Sequence, residues 1–158
     1  MAVQDIFLVL KDIEGESTDL KFPKAIILQG YSLAAHVARD AASNRSIGRV
    51  SFGALTCTKA VDKSTPKLWA AAWKNQKLNE GKVVVRKAGK EQEPYLVYEF
   101  KDMQVGSVSD ACTGDGSPLP TQIVTFVYGE IKVTYKEQKA DGTVSGPVEE
   151  GYRLYAGQ

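Results

Sequence analysis

The sequence predicts a mainly β protein, a single all-β barrel or sandwich with one α-helix packed on it over about residues 65–76. Three observations predict it. Short runs of Val, Ile, Leu, Phe and Tyr alternate with polar residues at a period of two. Turn-forming Gly, Pro, Asn and Asp recur between those runs. A helical period occurs at one place, after Asp62-Lys63-Ser64-Thr65-Pro66. Seven or eight strands with turns at short intervals and one helix suit a single barrel or sandwich with the helix packed on it.

Taken in order, Asp5 to Lys11 reads as a strand covered on both faces, because Ile6, Leu8 and Leu10 face one side and Phe7 and Val9 the other. A long extended run from Ala25 to Val37 follows, with Ile27, Gln29, Tyr31 and Leu33 on one face. Leu28, Gly30, Ser32 and Ala34 lie on the other, which is conspicuously small. Arg39 to Arg49 has no period and reads as a mobile surface loop. Val50 to Thr58 returns to strand. Ser64 or Thr65 can cap the helix and Pro66 suits its first turn. Leu68, Trp69, Ala72 and Trp73 form its expected buried stripe, with Lys67, Ala71, Lys74 and Lys77 facing away. Lys82 to Lys87, Tyr95 to Val105, Ile123 to Tyr128 and Ile131 to Lys136 are further strands. They are separated by turns at Ala88-Gly89-Lys90 and at the breaker cluster Ser107 to Pro120. Ala140-Asp141-Gly142-Thr143 is a strong turn signal, and Gly151 to Tyr155 can close as a last strand.

With 158 residues, the chain is expected to form one domain over 1–158, long enough to bury roughly 70% of its unfolded surface. Twenty basic against nineteen acidic residues give a net charge of +1 with no long block of either sign, so no nucleic-acid partner is expected. The segment Met1 to Lys11 lacks a basic start and is too short for a signal peptide or a membrane span, so no membrane insertion is expected. Cys57 and Cys112 lack metal-site spacing and read as unpaired thiols.

No catalytic, cofactor or metal site emerges. Ser64-Thr65-Pro66-Lys67 has the S-x-x-K spacing of penicillin-recognising enzymes, but their Ser-Asp-Asn and Lys-Thr-Gly partners are missing. His36 is the lone histidine, and only Asp40 stands near it in sequence. Asp110 and Asp115 lack the spacing of a calcium loop. Asn44-Arg45-Ser46 fits a glycosylation sequon without a secretory signal. From the residues alone, function stays open.

Several short blocks occur in a fixed order: Met1-Ala2-Val3, Gly15-Glu16-Ser17, Asp62-Lys63-Ser64-Thr65-Pro66, Val85-Arg86-Lys87-Ala88-Gly89, Val108-Ser109, Gln138-Lys139-Ala140-Asp141-Gly142 and Gly151-Tyr152. Together they resemble the haemolysin-coregulated protein (Hcp) family, the tube subunit of the bacterial type VI secretion system, over essentially the whole chain. The resemblance implies a single β-barrel of two antiparallel sheets with one helix at its side, and a non-enzymatic structural subunit. It implies six copies in a ring with a central channel, and rings stacked into a phage-tail-like tube. It also implies sheath and spike proteins as partners, small effectors in the channel, assembly in the bacterial cytoplasm and secretion without a signal peptide. On that reading Gly30, Ser32 and Ala34 are candidates to line the channel, the alternative being a strand packed closely beneath the helix. The segment Ala38 to Arg49 resembles the family's extended loop, which makes Arg39, Asp40, Arg45 and Arg49 candidates for ring stacking. The chain departs from the family at its end, where Arg153 stands in place of an acidic residue. The competing readings are a monomeric barrel binding a small apolar ligand and a small hydrolase using Ser64 and Lys67.

Overall fold

The computed structural model describes residues 4–87, 93–116, 119–137 and 146–154. Among them are eleven strands and one helix. The strands are β1 (Gln4–Leu10), β2 (Ile26–Leu28), β3 (Gly30–Ser32), β4 (Ala35–Arg39), β5 (Ser46–Phe52), β6 (Leu55–Ala60), β7 (Lys77–Lys87), β8 (Pro94–Ala111), β9 (Thr121–Val127), β10 (Glu130–Tyr135) and β11 (Val148–Arg153), with α1 (Thr65–Trp73) between β6 and β7.

The organising strand is β8, eighteen residues long. Its first half lies between β7 and β10, with Tyr98 opposite both Val83 and Val133. Asp102 then takes a positive φ of 56°, the register to β9 slips between Val105 and Ser107, and the second half pairs with β9 alone on that side. A left-handed residue and a bulge bend a strand sharply. One sheet therefore runs β2-β1-β7-β8-β10-β11, and the other runs β8-β9-β6-β3. All the ladders are antiparallel. The free ends of the two sheets meet on one segment. Ile26–Leu28 pairs with β1, Gly30–Ser32 pairs with β6, and the Gln29 amide between them donates to the Thr58 carbonyl at 2.8 Å. The predicted barrel of two sheets with a side helix is the fold found.

The interior is filled from both sheets by Leu8, Ile26, Leu55, Val83, Phe100, Met103, Val124 and Phe126. Both faces of β1 are covered, as its sequence predicts. Its outward Phe7 joins Ala25 and Val84 in a second cluster under the loop that carries Phe22. Arg86 locks that loop. It is 2% exposed, donates to Asp5 at 3.2 Å and with two nitrogens to Asp19, and lies over the rings of Phe7 and Phe22.

Several boundaries differ from expectation. The run from Ala25 to Val37 is three strands, because β2 and β3 pair with different sheets; Leu28 and Tyr31, separated by an odd step, both turn inward. Val50 to Thr58 is likewise divided at Gly53, whose amide donates to the Ala34 carbonyl at 2.8 Å. The expected breaker cluster starts later, since β8 continues to Ala111. The turns predicted at residues 88–90 and 140–143 lie outside the described residues.

The helix begins where predicted but ends at Trp73, and its buried residues are Leu68 and Ala71. The indoles are not buried: Trp69 is half-exposed and Trp73 is 70% exposed. The helix lies on β8. Ser64 occupies the cap position without a side-chain cap bond. Its hydroxyl donates instead to Asp62, while the Thr65 hydroxyl accepts the Asp62 amide at 3.0 Å.

Candidate assembly and channel surfaces

The outer face of the second sheet carries no charge. Because strand partners align in rows, three rows can be read across it: Gly30–Thr58–Ile123–Ser109, Ser32–Thr56–Thr125–Ser107 and Ala60–Thr121–Ala111. Ser32, Ser107, Ser109, Ala111 and Ile123 are exposed, and the rest are half-exposed. Their inward neighbours Cys57, Val124 and Phe126 fill the core. Ser107 and Thr125 share a hydroxyl hydrogen bond at 2.7 Å. Of the three channel candidates, Gly30 and Ser32 lie on this face, and Ala34 follows in the exposed segment beyond β3. A side chain built at Gly30 would meet nothing within 4 Å, and α1 lies on β8, so none of the three packs beneath the helix.

The outer face of the first sheet is the opposite in character. Three strands carry Glu-x-Lys: Glu80 to Lys82, Glu99 to Lys101 and Glu130 to Lys132. Antiparallel pairing sets Lys82, Glu99 and Lys132 in one row and Glu80, Lys101 and Glu130 in the next. They floor a shallow groove of about 470 Å³, in which Lys132 reaches Glu99 at 3.8 Å and Glu149 at 3.1 Å. The glutamate raises the Lys132 ammonium pKa, chiefly through that hydrogen bond. This alternation was visible in the sequence as three equal spacings, but it acquires meaning only once the register is known.

The expected loop from Arg39 to Arg49 is a turn over residues 40–45 that joins β4 to β5, and its two ends belong to the two-stranded ribbon these form. The absence of a clean period reflects exposure on both faces, since every residue of β4 is exposed. Phe52 anchors its base, stacked on Tyr152 at 5.3 Å and edge-on to Tyr128 at 6.3 Å. Its tip is an ordered turn. The Asp40 amide donates to the Arg45 carbonyl at 2.7 Å, and the Asp40 carboxylate accepts the Ala42 amide and the Ser43 hydroxyl. Asn44 takes the left-handed φ of 56° that Asn tolerates. Arg39 donates to the Asn44 carbonyl at 3.5 Å, and Arg45 is exposed. Arg49 lies within β5; its side chain is outside the described residues. Thus Asp40 shapes the tip, and Arg39 and Arg45 lie at its edge.

The chemistry suggested by short motifs is not assembled. Ser64 is fully buried and bound to Asp62, whereas Lys67 is exposed. His36 lies exposed on β4 opposite Ser51. Asp110 accepts the Trp69 indole N–H at 3.0 Å, and Asp115 accepts the Thr113 hydroxyl at 2.7 Å. Among the described residues no group of three or more His, Cys, Asp or Glu could hold a metal, and no helix is long and apolar enough to cross a membrane. Cys57 is buried, which pushes its thiol up to about 12, and Cys112 is exposed; both are free.

Sequence reasoning missed a buried polar cluster. Lys59, with 0% exposure, donates to Asp62 at 2.9 Å and to Gln122 at 2.8 Å, and Gln122 also accepts from the Thr65 hydroxyl. The cluster ties the helix start to β6 and β9. Its signal was weak: a lysine at an inward position of an alternating strand, three residues before an aspartate.

A two-sheet barrel with a side helix, a projecting ribbon and two contrasting outer faces defines a mainly β protein whose distinctive features lie on its surfaces. The family model for "Type VI secretion system effector, Hcp" matches residues 7–135. The chain is 34% identical to protein hcp1 of Pseudomonas aeruginosa, over 98% of this chain and 96% of that one. Its fold matches a solved type six secretion system protein with a TM-score of 0.92 at 25% identity, covering 99% of both chains. It matches Hcp1 from Salmonella typhimurium with a TM-score of 0.79 at 28% identity, over 99% of this chain and 97% of that one. The chain belongs to the Hcp family of type VI secretion system proteins.

Proposed function

We propose that this chain is a non-enzymatic tube subunit of the type VI secretion system, acting as one domain across its length. Six copies close into a ring, the uncharged face bearing Gly30, Ser32 and Ala34 lines the channel, and rings stack through the ribbon carrying Arg39, Asp40, Arg45 and Arg49. A ring needs a heterologous contact that closes after a fixed rotation. The tube forms in the bacterial cytoplasm, is driven out behind a spike by a contracting sheath, and carries small effectors inside.

The observation that carries this reading is the contrast between the two outer faces. A wall of Gly, Ala, Ser and Thr, with Ile123 and Val127 as its exposed apolar residues, offers hydroxyls and no charge, so cargo of either charge meets no repulsion. A face of alternating charges remains hydrated, since exposed ion pairs bring only about 0–1 kcal/mol each. The competing ligand-binding barrel gains no support, because the interior is filled by Leu8, Phe100, Met103 and Phe126 together with Lys59 and Gln122.

The test is the absolute mass of the purified chain by light scattering, with negative-stain images of the peak. Six copies of a 17.2 kDa chain give about 103 kDa and annular particles with an open centre. A species of 17.2 kDa at all concentrations refutes the ring.

A further inference from the structure

On the exposed side of α1 the rings of Trp69 and Trp73 lie 6.4 Å apart, tilted by 36°. Trp73 is 70% exposed, the most water-facing aromatic side chain among the described residues. The Trp69 indole is fixed by its hydrogen bond to Asp110 at 3.0 Å. An exposed tryptophan pair leaves large apolar area in water, and such side chains dominate binding energy where partners meet. The pair is also preorganised, because a carboxylate at its edge holds one ring in place.

The chemistry of this seat selects its occupant. Two indole faces beside a carboxylate suit a guanidinium, which stacks on the rings while its N–H groups face the acid. The same chain offers one at the end of an arm. The β4–β5 ribbon is exposed on β4 throughout, and a two-stranded ribbon is only marginally stable in water by itself. At its tip Arg39 is turned back onto the Asn44 carbonyl, whereas Arg45 is exposed beside it.

We propose that the Trp69–Trp73–Asp110 seat receives Arg45 from the ribbon of a second copy of this chain. The contact is heterologous, arm to helix, so it propagates from copy to copy instead of closing a pair. It deepens the tube reading above, and rests on it, by naming what the ribbon meets.

The chain has two tryptophans, both in this seat, so emission excited selectively at the red edge of the indole band, away from the tyrosines, reports on it. We expect the emission of the assembled protein to shift to the blue and acrylamide quenching to fall at least twofold relative to dilute, dissociated chain. Arg45→Ala, Trp73→Ala and Asp110→Asn should each weaken the assembly that shows the shift. In an Arg45→Ala, Trp73→Ala double variant the two losses should not add. Assemblies of any size whose indoles stay as quenchable as those of the dissociated chain overturn the seat and leave the ring intact. Indoles protected equally with and without Arg45 overturn the choice of occupant. A chain that remains monomeric at every concentration overturns the seat and the ring together.

Discussion

Lys59 donates from Nζ to Oε1 of Gln122 at 2.8 Å, and neither residue has any exposed surface. The same ammonium meets Asp62 at 2.9 Å, so a buried cation holds β6, β9 and the start of α1 together. Removing one partner of such a pair leaves the other uncompensated. Lys59→Met should therefore lower stability by about 3 kcal/mol in urea denaturation. Replacing Asp62 by Asn in the same chain should recover part of that loss. Equal midpoints for wild type and Lys59→Met would show that the cluster does not bind the helix to the barrel.

Arg86 makes the loop over Phe22 sensitive to acid. Its hydrogen bond holds the Asp19 carboxyl below the ordinary carboxylate range, helped by the backbone amides of Lys21 and Phe22. A carboxyl with a lowered folded pKa adds stability above its unfolded pKa and loses it as pH falls through the folded one. The Asp19 contribution is thus complete at neutral pH and declines below about pH 4. Asp19→Asn should flatten the acid side of the stability profile, and hydrogen exchange in residues 17–24 should rise first in the parent. A variant profile parallel to the parent's would refute the assignment.

Two glycines separate a backbone clash from a side-chain one. A methyl at Gly15 would lie 2.5 Å from both the Ala25 carbonyl oxygen and the Ile26 Cα, which the β1–β2 pairing holds in place. At Gly81 it would lie 2.5 Å from the Met103 sulfur and 2.8 Å from a Leu10 methyl, atoms at the ends of flexible side chains. Gly15→Ala should cost about 3 kcal/mol or prevent folding, and Gly81→Ala about 1 kcal/mol. Thermal unfolding of the two variants should rank them in that order.

Cysteine chemistry can test the wall. Burial keeps Cys57 unreactive, and Cys112→Ser removes the exposed thiol. In that background a cysteine substituted for Ser32 should react with a small maleimide in both rings and dissociated chain. A maleimide on a protein wider than the channel should label only the dissociated chain. Equal labelling of both forms by the wide reagent would place Ser32 outside the channel.

The alternating strands β9 and β10, the strand β1 covered on both faces and the helix start were legible because each is fixed by local pattern and turn chemistry. Three features were not. The indoles follow helical spacing, yet β8 needs only Leu68 and Ala71 from the helix, and tertiary packing decided which residues the stripe contains. The ribbon was hidden as a separate unit because its arms continue the extended runs 25–37 and 50–58, and a strand exposed on both faces has no hydrophobic period to mark its bounds. The continuous run through Gln29 concealed a change of partner, which depends on how distant strands close up. The small face of Gly30, Ser32 and Ala34 was visible as composition, but its continuation through Thr58, Ile123 and Ser109 required the register.

The bent strand β8 also determines how the subunit bears load. It crosses from one sheet to the other without a break, with β7 and β10 beside its first half and β9 beside its second. A thrust on either sheet passes into the other through covalent bonds and through hydrogen bonds loaded side by side. Ladders loaded that way resist together, whereas strands peeled from an edge yield one bond at a time. A load placed on either half of the barrel is therefore shared by both.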